Sequence, residues 1–274
     1  MPERGSGRAA SRAPRIVRRA GGPALVTVGI GNSRTVVGLF HGTALRRVVR
    51  FESGRTTAAE AARRLERLAR GLSTRDVAGA VLCSVVPALT RPWARALARW
   101  SGRAPLEVGP ATARSLPIHY HNPRTLGADR IANAVAARDL YGTPVIVVDL
   151  GTATNFDCVS ASGEFLGGAI APGVGTSAEE LFRRAARLPR VELRRPRRAM
   201  GRTTKESLRS GVVWGAAGQV DALVRRLARE MKGTPQVIAT GGWAKLVAPE
   251  CATVHVVDES LALKGMRILW EERA

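Results

Sequence analysis

The sequence predicts an α/β fold of two duplicated domains, each a mixed β-sheet flanked by helices. Two observations carry that prediction. The stretches VTVGIGNSRTVVGLF (26–40) and VVDLGTATNFDCV (147–159) share one grammar: an apolar, β-branched run enters a Gly-containing polar turn, and a second extended run leaves it. Each pair of runs is followed by a third strand signal, so strand–turn–strand–strand recurs at domain scale. The length of 274 residues accommodates two domains of ordinary size. The expected division is a tail at 1–23, one domain at 24–142 and a second at 143–274.

In the first repeat, Leu25 to Ile30 and Thr35 to Phe40 read as strands around the turn Gly31-Asn32-Ser33-Arg34, whose residue types suit tight turns with exposed N–H groups. A third strand around Leu45 to Phe51 completes a meander. Ala58, Ala61, Ala62, Leu65, Leu68 and Ala69 recur at helical spacing over 58–71, with Gly71 as the C-terminal cap. Ala78 to Val86 reads as a buried strand ending at Pro87, and a second helix carries Trp93 and Trp100 to a close at Gly102. The stretch from Pro105 to Arg124 reads as loop, with His119 and His121 flanking Tyr120. Ile131 to Tyr141 reads as a helix with Asp129 just before or inside its first turn, where the helix dipole favours an acid.

The pattern restarts at Pro144. Val145 to Asp149 is a near-continuous apolar strand, Gly151 to Thr154 a turn, Phe156 to Val159 and Glu164 to Ala169 two further strands. Pro172-Gly173-Val174-Gly175 opens a helical stretch, and a basic loop runs on through Pro196. Ser207 to Met231 reads as a long helix, and Pro235 to Thr240 as a buried strand ending in Gly241-Gly242.

Composition narrows the function. Lys and Arg number 43 against 22 Asp and Glu, a formal charge of +21. Only four of the basic residues are Lys, which points to a compositional Arg bias, and the densest basic run, Arg183 to Arg209, has no aromatics for base stacking. Nucleic acid is therefore an unlikely partner, while the positive field favours small anions such as nucleotides. No apolar run is long enough to span a membrane. The basic tail lacks the apolar core of a secretory signal and reads as disordered. Cys83, Cys158 and Cys251 lie far apart, in or beside apolar runs, and read as buried thiols of a cytoplasmic protein rather than as a zinc set.

The paired turns imply a polyanion site. Small residues let the backbone approach phosphate oxygens, so Gly31, Asn32 and Ser33 serve one half and Gly151, Thr152 and Thr154 the other. Asp149 ends a buried strand beside such a turn, where a carboxylate needs a partner; a cation is a natural one.

The stretches GNSRTVVGLF, SVVP, NPRTLGADRIANAVAA, VVDLGTATNFDCV, GEFLGGAIAPGV, ARLP, TTKESLRSGVVWG and IATGGW make the resemblance specific. In this order, from about residue 25 to about 243, the chain resembles the type III pantothenate kinases of the actin, hexokinase and Hsp70 superfamily. The resemblance implies actin-like (ribonuclease H-like) domains, a homodimer, and phosphorylation of pantothenate using ATP, Mg²⁺ and a monovalent cation, K⁺ or NH₄⁺. By position, Asp129 looks like the general base. Tyr120, Gly127, Ala128 and Arg130 look like the pantothenate site, with Tyr120 and Arg130 at its carboxylate end. Thr204 resembles a Thr that reaches substrate at the dimer interface, and Asp149 a monovalent-cation ligand. Gly151 and Thr152 look like ATP contacts, as do Gly29, Gly31, Asn32, Ser33, Arg34 and Thr35 of the first turn.

One position departs from the family pattern. The first turn usually reads Asp-x-Gly-Asn-Thr, and here it reads Gly29-Ile30-Gly31-Asn32-Ser33. Ser keeps the hydroxyl; Gly29 removes a carboxylate that would help organise Mg-ATP. Two readings therefore stand: a pantothenate kinase, or a catalytically impaired relative that keeps the fold in a nucleotide-binding or regulatory role.

Overall fold

A computed structural model describes residues 23–68 and 76–273. Ten strands form two five-stranded sheets of identical plan. The first contains β1 (Ala24–Ile30), β2 (Arg34–His41), β3 (Ala44–Glu52), β4 (Val77–Ser84) and β5 (Leu106–Glu107), in the order β3-β2-β1-β4-β5. The second contains β6 (Val145–Leu150), β7 (Ala153–Val159), β8 (Phe165–Pro172), β9 (Gln236–Thr240) and β10 (Val256–Val257), in the order β10-β9-β6-β7-β8. In each, the first three strands form an antiparallel meander and the last two add in parallel to the other edge of its first strand. The duplication read from the two turns is therefore a duplication of whole sheets.

Both faces of each central strand are covered, which explains their nearly continuous apolar runs. Val26, Val28 and Ile30 of β1 pack into a core with α1 (Ala58–Leu68) and α2 (Pro87–Ser101), while Leu25 faces the opposite side. Ile146, Val148 and Leu150 of β6 face α4 (Val174–Arg184), α5 (Thr204–Glu230) and α6 (Ala244–Val247). The remaining faces share one core built around α3 (Ala128–Tyr141) and α7 (Leu261–Glu272), which lie against each other between the sheets. The Ala-rich sequence of α3 permits that approach. At Gly265 of α7 a Cβ would stand 1.8 Å from the Ala132 carbonyl oxygen, so any larger residue would force the helices apart. Each Leu, Ile or Val buried in these cores contributes about 1.5–3 kcal/mol.

Several elements differ from the sequence expectation. The loop between Pro105 and Arg124 contains β5 and a parallel bridge from Ile118 to Phe165, with the His119 N–H donating to the Phe165 carbonyl at 2.9 Å. Helix α5 begins at Thr204 rather than Ser207. Thr203 caps it through a hydroxyl that accepts from the Glu206 N–H, and Glu206 reaches back to the Arg202 N–H, a Thr-x-x-Glu pattern related to the capping box. Helix α7 was not expected: it is buried on nearly all sides and has Gly at its centre, which blurs helical periodicity. Asp129 falls inside the first turn of α3, and the division expected at 142/143 falls between α3 and β6. Cys83 and Cys158 are buried, whereas Cys251 is only partly so, because it follows the short 3-10 turn Ala248–Glu250 at the molecular edge. Trp93 is a core residue stacked on Phe51. The expected tail, apart from exposed Pro23, and the cap expected at Gly71 lie outside the described residues, among which no helix is long and apolar enough to cross a membrane.

Candidate active site

A cavity of about 1450 Å³ opens where the two repeats face each other. Gly29, Gly31, Asn32, Ser33 and Arg34 line it from the first repeat, and Gly151 and Thr152 from the second. Each turn closes through its own backbone: the Gly31 N–H donates to the Arg34 carbonyl and the Gly151 N–H to the Ala153 carbonyl, both at 3.0 Å. The turns also touch, with the Ser33 and Thr152 hydroxyls 2.8 Å apart. Thr35 does not belong to this lining. Its side chain is buried and its hydroxyl is held by Ser53 at 2.8 Å, because strand alternation turns it away from the cavity.

Asp129 enters the cavity from the first turn of α3. Its Oδ1 accepts the Arg130 N–H at 2.8 Å. A Cβ at Gly127 would lie 2.6 Å from that same oxygen, so the residue before the helix must be small. Burial raises the Asp129 carboxyl above its ordinary range, opposed by the backbone hydrogen bond and the Arg130 charge.

Asp149 stands at the end of β6 on the sheet face that meets α3. Its Oδ2 accepts from Asn133 Nδ2 at 3.1 Å. Glycines wall it in: a Cβ at Gly241 would come within 2.5 Å of Oδ1, and Gly241 itself has φ +92°, a left-handed conformation that favours Gly. Burial first, and Asp129 second, push the Asp149 carboxyl up to about 7. Asn133 is 1% exposed, and its Oδ1 has no hydrogen-bond partner among the described residues. An orphaned acceptor beside a half-buried carboxylate is a donor set that fits a hard cation with oxygen ligands.

Arg130 faces away from this cavity. Its Nε donates to Asp157 Oδ1 at 2.6 Å, and its guanidinium lies 5.5 Å from the Phe165 ring centroid and 6.0 Å from that of Tyr120. The Ile118 bridge to β8 is what carries Tyr120 to this place. Asp157 was not singled out from the sequence, although an acid inside the buried strand run NFDCV is itself a signal. Gly127 and Ala128 form the start of α3 between the two sites. Thr204 lies elsewhere, in a groove of about 490 Å³ between α4 and α5 lined by Val174, Leu181 and Leu208.

Gly29 sits opposite Cys83 of β4, and a Cβ there would meet Met266 Cε at 3.5 Å, ordinary contact. The pseudo-symmetric counterparts are Asp149 of β6 and Asn133 of α3, since Met266 and Asn133 are both sixth in their helices. By the same count Ala262 of α7 stands where α3 has Asp129, and both line the cavity. At these matched places the acids Asp129 and Asp149 stand on one side of the pseudo-symmetry, and Gly29 and Ala262 on the other.

Comparison with known proteins gives a consistent answer. The family described as "Type III pantothenate kinase" matches residues 25–226. A type III pantothenate kinase of Moorella thermoacetica is 46% identical over 250 residues, 90% of this chain and 98% of the relative. One from Geobacter sulfurreducens is 44% identical over 251 residues, with the same coverage. Among solved structures, an inorganic polyphosphate/ATP-glucomannokinase from Arthrobacter matches with a TM-score of 0.51 at 15% identity, over 92% of this chain and 100% of that one. That likeness establishes the fold, duplicated actin-like α/β domains.

Proposed function

We propose a division of labour among the residues of a chain that belongs to the type III pantothenate kinase family and catalyses ATP-dependent phosphorylation of pantothenate to 4'-phosphopantothenate, the first step towards coenzyme A. The observation that carries it is the place of Asp129: a partly buried carboxylate with a raised pKa, in the cavity that also receives both turns.

Asp129 accepts the proton of the primary hydroxyl of pantothenate while that oxygen attacks the γ-phosphorus of ATP. The bond to the β-phosphate oxygen breaks, and ADP leaves with the electron pair. Because phosphoryl transfer passes through a loose transition state, positioning and charge stabilisation outweigh base strength. Asn32, Ser33 and Thr152 supply those contacts through backbone N–H groups and hydroxyls, Gly31 and Gly151 let the phosphates approach by lacking a side chain, and Arg34 adds positive charge. Mg²⁺, when bound with ATP, neutralises charge on the transferring phosphoryl group. Asp149, with the unpartnered Asn133 Oδ1, suits a cation, and we assign it K⁺ or NH₄⁺.

Arg130 and Tyr120 hold the carboxylate end of pantothenate, for which the guanidinium fork is suited. Gly127 and Ala128 let the substrate approach the start of α3. Thr204, far from Asp129 in its own chain, serves the site of a second copy in a homodimer. Support for that assembly is apolar surface on β8 and α4: Ile170 is 63% exposed, and Leu166 and Leu181 are about two-fifths exposed. Sedimentation at micromolar concentration should give twice the chain mass; a monomer would remove the assigned role of Thr204. Dependence on ATP and three free cysteines favour the cytoplasm as the compartment.

The deciding assay is ADP formation by purified protein with ATP and pantothenate varied separately, and mass spectrometry of the product. ADP release that does not depend on pantothenate would overturn the assignment.

A further inference from the structure

Asp157 is fully buried on β7, opposite Val147 and on the same sheet face as Asp149. Two successive polar rungs connect α3 to this face: Arg130 to Asp157, then Asn133 to Asp149 one turn later. The first rung differs from an ordinary buried ion pair. Among the described residues Asp157 is the acid that grips the guanidinium, and it does so at Nε; the Tyr120 side chain is the other polar group beside it. The Phe165 and Tyr120 rings flank the guanidinium. Asp157 is itself only half satisfied, since its Oδ2 is buried without a partner. A pair kept for stability alone would engage both oxygens and more of the fork, because desolvation of the two charges is otherwise poorly offset.

We infer that Asp157 is a positioning residue for substrate: by gripping Arg130 at Nε it fixes the guanidinium plane, so that the terminal nitrogens, beside Tyr120, are presented to a carboxylate. The inference rests on the reading of Arg130 as the contact for the carboxylate end of pantothenate. The backbone supports such rigidity. Gly168 of β8 lies opposite Asp157, and a Cβ there would fall 1.6 Å from the Phe156 carbonyl oxygen, so the strand carrying the acid is packed against its neighbour without slack. A rigid second partner lowers the ordering cost of the arginine when substrate arrives.

The test is steady-state kinetics with pantothenate and ATP varied, on Asp157→Ala, Asp157→Asn, Arg130→Gln and the double variant Arg130→Gln/Asp157→Ala. Asp157→Ala should raise the KM for pantothenate about tenfold or more, the scale of a charge-assisted hydrogen bond. The KM for ATP and kcat should stay within about twofold. Asp157→Asn keeps an acceptor for Nε and should recover most of the loss. In the Arg130→Gln background, Asp157→Ala should add less than about twofold, because its target is gone. Equal changes in both KM values, or additive effects in the double variant, would overturn the inference while leaving Arg130 in place. An Arg130→Gln protein with unchanged pantothenate KM would instead remove the Arg130 assignment on which the inference depends. Should Asp157→Ala fail to fold, Asp157→Ser, whose shorter side chain draws back from Nε, takes its place: a rise confined to the pantothenate KM is expected, and a matching rise for ATP refutes it.

Discussion

Replacing Asp149 with Asn should abolish a large part of the pH dependence of stability. The carboxyl is pushed up to about 7 from 3.8 by burial and by Asp129. A raised pKa means that the folded chain holds the proton more tightly than the unfolded chain does. The resulting stabilisation is fully present below the unfolded value and is lost as pH rises through 7. Integrated between about pH 5 and pH 8, this one group removes roughly 2–3 kcal/mol. Asn keeps an oxygen to accept the Asn133 Nδ2 hydrogen and has nothing to titrate. Asp157, also pushed up to about 7, is present in both proteins and largely cancels in the comparison. For a chain of this size roughly 2–4 °C accompanies each kcal/mol. Thermal melts of ligand-free protein in sodium buffer with chelator should therefore show the variant gaining on wild type by roughly 5–10 °C between those pH values. Identical pH profiles would show that Asp149 is ionised in the folded protein throughout, and would refute the view of an unneutralised half-buried carboxylate.

Three further outcomes are expected. Asp129→Asn should lower kcat by about 10²-fold or more with little change in melting temperature, the scale of a lost acid–base group; unchanged turnover would exclude Asp129 as the base. Activity should be higher in potassium than in sodium at equal ionic strength if Asp149 and Asn133 select a larger monovalent cation, and equal activity would count against that selectivity. Gly29→Asp should raise turnover at limiting Mg²⁺, because Gly29 is not in a left-handed conformation and a Cβ has ordinary contact distance to Met266; a folded variant without any gain would mean that Mg-ATP is organised by other groups.

Much of the fold was legible because its signals are local. Alternating apolar runs and Gly-containing turns located β1, β2, β6 and β7, and the shared grammar of the turns anticipated the duplication. The signals that failed are those that only packing creates. The strand-like bridge of Ile118 exists because Phe165 is beside it, and nothing in the sequence near Tyr120 announces that partner. Helix α7 is buried nearly all round, so its apolar pattern has no polar face against which to be read. The candidate site follows the same division. Asp129, Asp149 and the turn glycines were readable from motifs; Thr35 was drawn in by adjacency, and alternation turns its hydroxyl to Ser53 instead. Asp157 escaped notice because its meaning lies in Arg130, 27 positions away.

The duplication itself explains why the first turn can lack an acid without loss of the fold. At the equivalent places of the two repeats stand Gly29 with Met266 and Asp149 with Asn133. A carboxylate facing a helix across a buried sheet face is costly unless something polar or cationic meets it. On the second side Asn133 meets it, and the remaining unpartnered oxygen leaves room for an ion. On the first side Met266 occupies the facing place, and Gly29 needs no partner. The protein thus keeps two structurally matched turns, with an acid and its polar partner at the matched places of only the second. Both of those groups have raised pKa values, and Asp129 adds to the rise at Asp149. Under the proposed function, Asp149 with Asn133 suits a cation, while Arg34 and the turns of both repeats suit the anionic phosphates.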